Sequence, residues 1–353
     1  MEKQSILFVR NIESELSDIL SACAFDRLFV LTDQTTHAVC LPLIEKCLVA
    51  HQAHIITIGT SDEHKTLESL ADVWQSLSDA KATRRSLLIN LGGGMVTDLG
   101  GFAASTFKRG IRFLNIPTTL LAMVDASVGG KTGINFNGLK NEIGVFRNAF
   151  DVLVDTHFLL TLDEENICSG FAEMLKHGLI SNRSDWAELM NFNLEKPDLK
   201  RLQELVEKSV GVKQRIVLED PEEKGLRKAL NLGHTAGHAL ESLALHEGRP
   251  VLHGYAVAWG LVCELYLSCK KTGFPHDVML QTANFIKSHY GVFAFDCKKY
   301  EQLYLLMTHD KKNTDGRVNF TLLSDVGDLR INQTATKEEI FEMLDFYRET
   351  MGC

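Results

Sequence analysis

Five short runs, RLFVLTD, HIITIGT, SLLINLGGG, IRFLNIPTT and DVLVD, dominate the first half of the chain. Each is rich in apolar and β-branched residues and each ends in turn or capping residues, the pattern of a buried strand. Amphipathic stretches such as KTLESLADVWQSLSDA lie between them. Strand and helix in alternation predict an α/β fold built on a parallel sheet, with ligands at the C-terminal ends of the strands. After about residue 160 the texture changes. SGFAEMLKHGLI, DLKRLQELVEKSVGVKQRIV, ALNLGHTAGHALESLAL, GYAVAWGLVCELYLSC and KEEIFEMLDFYRET all carry a helical period, with one hairpin-like piece at RVNFTLLSDVGDLRI. The expectation is an α/β domain over residues 1–160 and a mainly helical domain over 161–353. No internal repeat or low-complexity linker separates them, so the two are expected to share an interface, where ligands tend to sit.

Length agrees, since 353 residues exceed what one ordinary core supports. A formal net charge of -9, without a basic block, argues against a nucleic-acid partner. Any anionic ligand must then be held by a local cluster of cations. The opening MEKQSILFVRNIES has an early acid and no long apolar run, which reads as neither signal peptide nor membrane span. Eight cysteines are scattered without a C-x-x-C pair, as expected of reduced thiols in a cytoplasm.

Chemistry concentrates in a few segments. In LINLGGGMVTDLGGFAAS, Gly92, Gly93 and Gly94 stand where a strand gives way to a helix. Glycines there let backbone N–H groups approach a phosphate, although a plain tight turn accounts for them equally well. Asp98, one turn on, is a first-turn acid complementing the helix dipole in its simplest reading. In IPTTLLAMVDASVGGKTGINFNGLKN, Thr118 and Thr119 are possible caps, and Lys131, Lys140 and Asn141 fall in a glycine-rich loop. The segment is similar to the tail of a Walker A motif, but Asp125 occupies the place of its first glycine, which rules out a P-loop. Glu173 and Lys176 in SGFAEMLKHG are three apart, ordinarily a surface pair worth roughly 0.2–0.5 kcal/mol, but their flanks are apolar. Lys213 and Arg227 bracket the acidic LEDPEEKG.

NLGHTAGHALE raises a metal question. On a helix His234, His238 and Glu241 share one face, a set that could chelate a cation by itself. The run is similar to the zincin helix H-E-x-x-H, except that Thr235 replaces the general-base glutamate. His253 follows in LHGYAVAWG, ordinarily an N-cap or core residue, but here close in sequence to a histidine-rich helix.

Taken together, GGGMVTDLGGFAAS, IPTTLLAMVDASVGGKTGIN, GLKN, SGFAEMLKHG, GLRKALNLGHTAGHALE and HGYAVAWG occur in order over residues ~60–255, with DKKN later. In that set the chain resembles the 3-dehydroquinate synthases. The resemblance implies an NAD-dependent, zinc- or cobalt-containing cyclase, usually a homodimer. Such an enzyme turns 3-deoxy-arabino-heptulosonate 7-phosphate into 3-dehydroquinate and phosphate. It implies metal ligands at Glu173, His234 and His253. NAD would lie along Gly93, Gly94, Met95, Val96, Thr97 and Asp98, with Thr118, Thr119, Asp125, Lys131, Lys140, Asp62, Lys65, Phe158 and Thr161. Substrate contacts would be Asp125, Lys131, Asn141, Lys176, Lys213, Arg227, Asn231, His238 and Lys311 or Lys312. Arg109 in FKRG would reach the phosphate in the partner subunit's site. Glu241 would orient a histidine.

Four departures from the family pattern are Thr97, Asp62, Glu142 and Tyr255; none falls on an implied metal ligand. Three rivals remain at this level. A polyol dehydrogenase of the glycerol dehydrogenase type shares the plan but has no use for Lys176, Lys213, Arg227 and Asn231 together. Another sugar-phosphate cyclase fits broadly, yet Asn231 and His238 match the dehydroquinate pattern. A catalytically dead binding module is disfavoured by the intact ligand set.

Overall fold

The structure is a computed structural model that describes residues 4–137, 139–308 and 318–353. It divides into two compact units, residues 1–163 with 198–210, and residues 164–197 with 211–353. The expected boundary at 160 is therefore three residues early, and a single cut misses the segment 198–210. That segment is the first half of the helix Leu199–Glu219, and Gln203 explains its allegiance. Its side chain accepts from the Thr156 hydroxyl at 3.4 Å and donates to the Val9 carbonyl at 3.5 Å, both in the first unit.

The first unit holds β1 (Ile6–Phe8), β2 (Leu28–Asp33), β3 (His54–Ile58), β4 (Leu87–Gly92) and β5 (Arg112–Pro117). A hairpin of β6 (Lys131–Phe136) and β7 (Leu139–Phe146) precedes β8 (Val152–Val154). Six strands form one parallel sheet in the order β1-β8-β5-β4-β2-β3. Every residue of β2 and β4 is buried, as strands covered on both faces require. Five strands are those expected from sequence; β1, three residues long, is too short to show a period. Lys131, Lys140 and Asn141 were expected in a loop, and they lie instead on the antiparallel β6–β7 hairpin. Thr, Ile, Val and Phe in KTGINF and LKNEIGVF favour strands and outweigh the glycines there.

The second unit is mainly helical, with one antiparallel hairpin of β9 (Val318–Asp325) and β10 (Asp328–Ala335) where the hairpin-like piece was expected. Its central element is the helix His253–Thr272, buried on all sides over most of its length. Two glycines set how closely neighbours approach it. A Cβ on Gly254 would lie 1.8 Å from the Ser169 carbonyl oxygen of helix Glu164–Ser181. A Cβ on Gly260 would lie 1.9 Å from the Gly233 carbonyl oxygen, at the start of helix His234–His246. Three helices are thus held backbone to backbone, and each carries an implied ligand. Among the described residues, no helix is long and apolar enough to cross a membrane.

Gly260→Ala tests this packing. Alanine favours a helix by about 1 kcal/mol over glycine, but overpacking against backbone costs about 1–3 kcal/mol and has no flexible side chain to absorb it. With the clash falling on backbone, the overpacking cost outweighs the propensity gain and the urea midpoint is expected to fall, by an amount equivalent to about 1–2 kcal/mol. An unchanged or raised midpoint would mean that the helices are free to separate.

Candidate active site

In the first unit the chain passes from β2 outward to β3, then returns to the other side of β2 as β4. Between β2 and β4 the winding direction reverses, and ligands of such sheets bind at the strand ends there. The glycine run sits at that point. β4 ends at Gly92, Gly93 is the N-cap without a side-chain cap, and helix Gly94–Thr106 begins. Its first-turn N–H groups and the positive end of its dipole face the strand end, an arrangement suited to a diphosphate. Thr97, one of the departures, is buried and turns its hydroxyl back to the Gly93 and Gly94 carbonyls at 3.3 and 3.2 Å.

Neighbouring residues sort by role. The Thr118 N–H donates to the Gly92 carbonyl at 3.0 Å, which ties the end of β5 to the glycine turn. Thr119 accepts from the Ala122 N–H at 3.1 Å, the capping part read from sequence, and Asp125 lies half-buried in the turn Ala122–Ala126. Phe158 is fully buried, so its ring belongs to the core and only its backbone is available to a ligand. Its carbonyl accepts from the Thr161 hydroxyl at 2.7 Å.

Asp98 does more than complement a dipole. It bonds the buried Lys65 Nζ at 2.6 Å, and the same ammonium donates to the Asn141 Oδ1. Lys140 stands 3.9 Å from Asp62. Asn135, not singled out by any sequence pattern, bonds both Asp62 and Asn141. Lys131 is exposed at the start of β6, and Arg109 is exposed in a loop where Lys108, Arg109 and Gly110 all have positive φ.

The second unit gathers the implied metal ligands. Glu173 comes from the middle of helix Glu164–Ser181, while His234 and His253 each open their own helix. Glu173 Oε1 lies 3.3 Å from His234 Nε2 and 3.6 Å from His253 Nε2. It is buried without a hydrogen bond, because neither approach has the geometry of one. The tautomers explain why. His234 Nδ1 is 3.1 Å from the Leu232 carbonyl, which can only accept, so that nitrogen carries the proton. His253 Nδ1 likewise faces the Glu241 carboxylate at 3.3 Å. In a neutral imidazole both Nε2 atoms then present lone pairs to a carboxylate oxygen. Three acceptors converging on one point are complementary to a cation, and histidines backed by a carbonyl and a carboxylate are typical of metal sites.

Charge follows from this setting. Burial would raise the Glu173 carboxyl, but Lys176, bonded to its Oε2, and His234 hold it well below the usual carboxylate range. Burial pushes the His234 imidazole down to about 3, the neutral form that ligates. For His253 burial acts in the same direction, but Glu173 and Glu241 prevail and lift it to about 10. Protonated, His253 turns an N–H at Nε2 toward Glu173; only its neutral form offers the lone pair that a metal would need.

His238 is close as well. Its ring centroid is 5.2 Å from that of His234 and 5.8 Å from that of His253, and the three histidines offer nitrogens within 4.8 Å of one another. The single-helix set of His234, His238 and Glu241 fares worse, since Glu241 turns to His253 Nδ1. Lys213 and Arg227 are buried. The acidic loop folds back on the arginine: Asp220 accepts its backbone N–H at 3.0 Å and the Pro221 carbonyl accepts Nη1 at 2.8 Å. From that loop Glu223, read only as part of an acidic run, accepts from Asn231 Nδ2 at 3.1 Å. Lys311 and Lys312 lie outside the described residues.

Known proteins share this plan. Residues 55–169 match the 3-dehydroquinate synthase N-terminal family and residues 170–313 the 3-dehydroquinate synthase C-terminal family. A 3-dehydroquinate synthase of Parabacteroides distasonis is 55% identical over 352 residues, covering 100% of both chains. Among solved structures, a 2-deoxy-scyllo-inosose synthase complexed with carbaglucose-6-phosphate, NAD+ and Co2+ superposes with a TM-score of 0.86 at 22% identity. It covers 98% of this chain and 96% of that one. A 2-epi-5-epi-valiolone synthase from Streptomyces hygroscopicus, with NAD+ and Zn2+ bound, gives 0.85 at 23% identity over 99% and 98% of the two chains. Full-length identity at that level, with both family halves matched in order, places this chain in the 3-dehydroquinate synthase family.

Proposed function

We propose that the chain converts 3-deoxy-arabino-heptulosonate 7-phosphate to 3-dehydroquinate and phosphate, using NAD+ and a divalent metal, zinc or cobalt. The observation that carries the metal reading is the buried Glu173 Oε1 faced by two imidazole Nε2 atoms. Full-length identity to a curated 3-dehydroquinate synthase supports the reaction. Glu173, His234 and His253 would hold the metal, with Glu241 orienting His253. Two histidines and one carboxylate leave coordination positions open for substrate, as a catalytic site needs. The glycine turn at Gly93 and Gly94, with Asp62, Lys65 and Asp98 beside it, would hold NAD+. Bound there, these groups supply a reversible hydride acceptor and a Lewis acid.

The chain's own residues then bind, orient and move protons. Lys176, Lys213, Arg227 and Asn231 meet the anionic ends of the substrate, as do Lys131, Asn141 and Lys311. Holding both ends fixes the reacting carbons and supplies charge where it develops. His238, its ring 5.2 Å from that of His234, would move a proton at a substrate oxygen. A neutral polyol offers no charge for this cation set to meet, so the reading favours a sugar-phosphate acid over a polyol. Glu173 would hold the metal while its Oε2 bonds Lys176, which would link a ligand to a substrate-binding lysine.

The homodimer belongs to the same reading. Strand β7 is exposed along its whole length and carries Leu139, Ile143, Val145 and Phe146, an apolar edge suited to a second copy. The left-handed Lys108–Arg109 pair displays Arg109 outward, where it would reach a neighbour's phosphate site. Eight unpaired cysteines fit a cytoplasmic location.

Three measurements test the proposal. Phosphate release from the heptulosonate phosphate should require both NAD+ and divalent metal without consuming NAD+; NADH accumulating in proportion to product would identify a simple dehydrogenase. Metal analysis of purified variants should find Glu173→Ala, His234→Ala and His253→Ala depleted. His238→Ala should keep metal and lose activity, and Glu241→Ala should bind metal about 10–100-fold more weakly, as loss of an orienting partner does. Metal lost from Glu241→Ala but retained by His253→Ala would favour the single-helix chelate. Finally, heterodimers of Arg109→Ala and Lys176→Met subunits contain one complete site if arginines cross the interface, and should regain activity that neither homodimer has.

A further inference from the structure

Asn135 sits at an irregularity in the β6–β7 hairpin. Ile134 pairs with Ile143 and Phe136 with Leu139, so one residue of β6 stands opposite three of β7: Lys140, Asn141 and Glu142. That is a bulge, a device that re-aims side chains and recurs beside active sites. Within it Asn141 has φ +52°, in the left-handed region that asparagine tolerates better than most residues. Two bonds hold it there. Its N–H donates to Asn135 Oδ1 at 2.9 Å, and its Oδ1 accepts from Lys65.

The other end of Asn135 points to a different segment. Nδ2 donates to the Asp62 carbonyl at 3.2 Å and to Asp62 Oδ2 at 3.0 Å, and the Asn135 backbone N–H donates to the Lys65 carbonyl at 2.8 Å. The partners fix which way the carboxamide faces. A backbone N–H can only donate and a carbonyl can only accept, so the flipped amide would lose its bonds to both. One residue thus clamps that segment to the bulge at Asn141, its side chain through Asp62 and its backbone N–H through Lys65.

We propose that Asn135 is a positioning residue for the reaction. Its carboxamide fixes Asp62, implied to meet the cofactor, in register with Asn141, implied to meet the substrate. The inference rests on the functional reading above. Aspartate at this position keeps the acceptor for the Asn141 N–H but loses the donor to Asp62 and sets two carboxylates together. Alanine loses both ends. The two replacements therefore separate the two halves of the clamp.

The experiment uses the full-length, metal-loaded protein, with NADH binding followed by fluorescence and steady-state kinetics at saturating NAD+. Asn135→Ala should raise both the NADH Kd and the substrate KM about tenfold, the effect of about one lost hydrogen bond each, with kcat changed less. Asn135→Asp should raise the NADH Kd similarly while leaving KM near wild type. A purely structural role would lower the folded fraction and hence apparent kcat, leaving Kd and KM untouched. Unchanged constants in folded Asn135→Ala, or a KM in Asn135→Asp raised as far as in Asn135→Ala, would overturn the proposal. Should the alanine variant not fold, the Kd–KM split in Asn135→Asp decides alone. A wild-type chain that bound no NADH would remove the functional reading and the proposal with it; normal wild-type binding with unaltered variants removes only the proposal.

Discussion

Glu173 is an ionised carboxylate with no exposed surface, and the helical unit is arranged around that fact. Taking such a charge out of water costs several kcal/mol unless partners compensate. Lys176, one turn along the same helix and equally buried, supplies the first compensation through Oε2. Oε1 is left to His234 and His253, which come from two other helices and meet at this oxygen. Removing one partner of a buried pair leaves an uncompensated charge, typically a loss of 3–5 kcal/mol, so the three helices are bound to one electrostatic arrangement.

Close packing is what makes that arrangement geometrically possible. Imidazoles from two helices reach a glutamate on a third only when the backbones approach nearly to contact, and Gly254 and Gly260 remove the Cβ atoms that would prevent it. Glu264 adds a polar lock. Buried on helix His253–Thr272, it accepts the Gly233 and Ala236 N–H groups at 2.7 and 3.0 Å, capping the helix that His234 opens. A carboxylate at that end also meets the positive pole of the helix dipole. The helix that carries His253 thus caps the helix that His234 opens, which fixes the two histidines relative to each other without either imidazole bearing the load.

How far this could be read from the sequence depends on the range of each interaction. Apolar runs and helical periods revealed five sheet strands and the helical second half because those signals are local. The β6–β7 hairpin was hidden by its glycines, and its bulge by the fact that Asn135 and Asn141 look like turn residues wherever they occur. Face geometry alone put Glu241 beside His234 and His238 as a third ligand. The decisive contact, Glu241 to His253 Nδ1, joins two helices and leaves no trace in the spacing of either. Glu264 is a lone acid in an apolar helix, meaningful only once Gly233 and Ala236 are seen to end against it. The implied trio of Glu173, His234 and His253 came from family resemblance, and geometry supplies the physical reason such a trio meets.

The departures from the family pattern follow the same logic of support. Thr97 fills its buried position by donating its hydroxyl to the Gly93 and Gly94 carbonyls of its own helix. Tyr255, two residues beyond His253, packs edge-on against Tyr290 and Trp259, with ring centroids 5.2 and 6.0 Å apart. Tyr290 in turn donates to the Cys168 carbonyl at 2.9 Å, on the helix that carries Glu173. An aromatic bridge therefore joins the first turn of the His253 helix to the body of the Glu173 helix. Tyr255 thus acts on the helix end through ring packing, away from the imidazole face that meets Glu173.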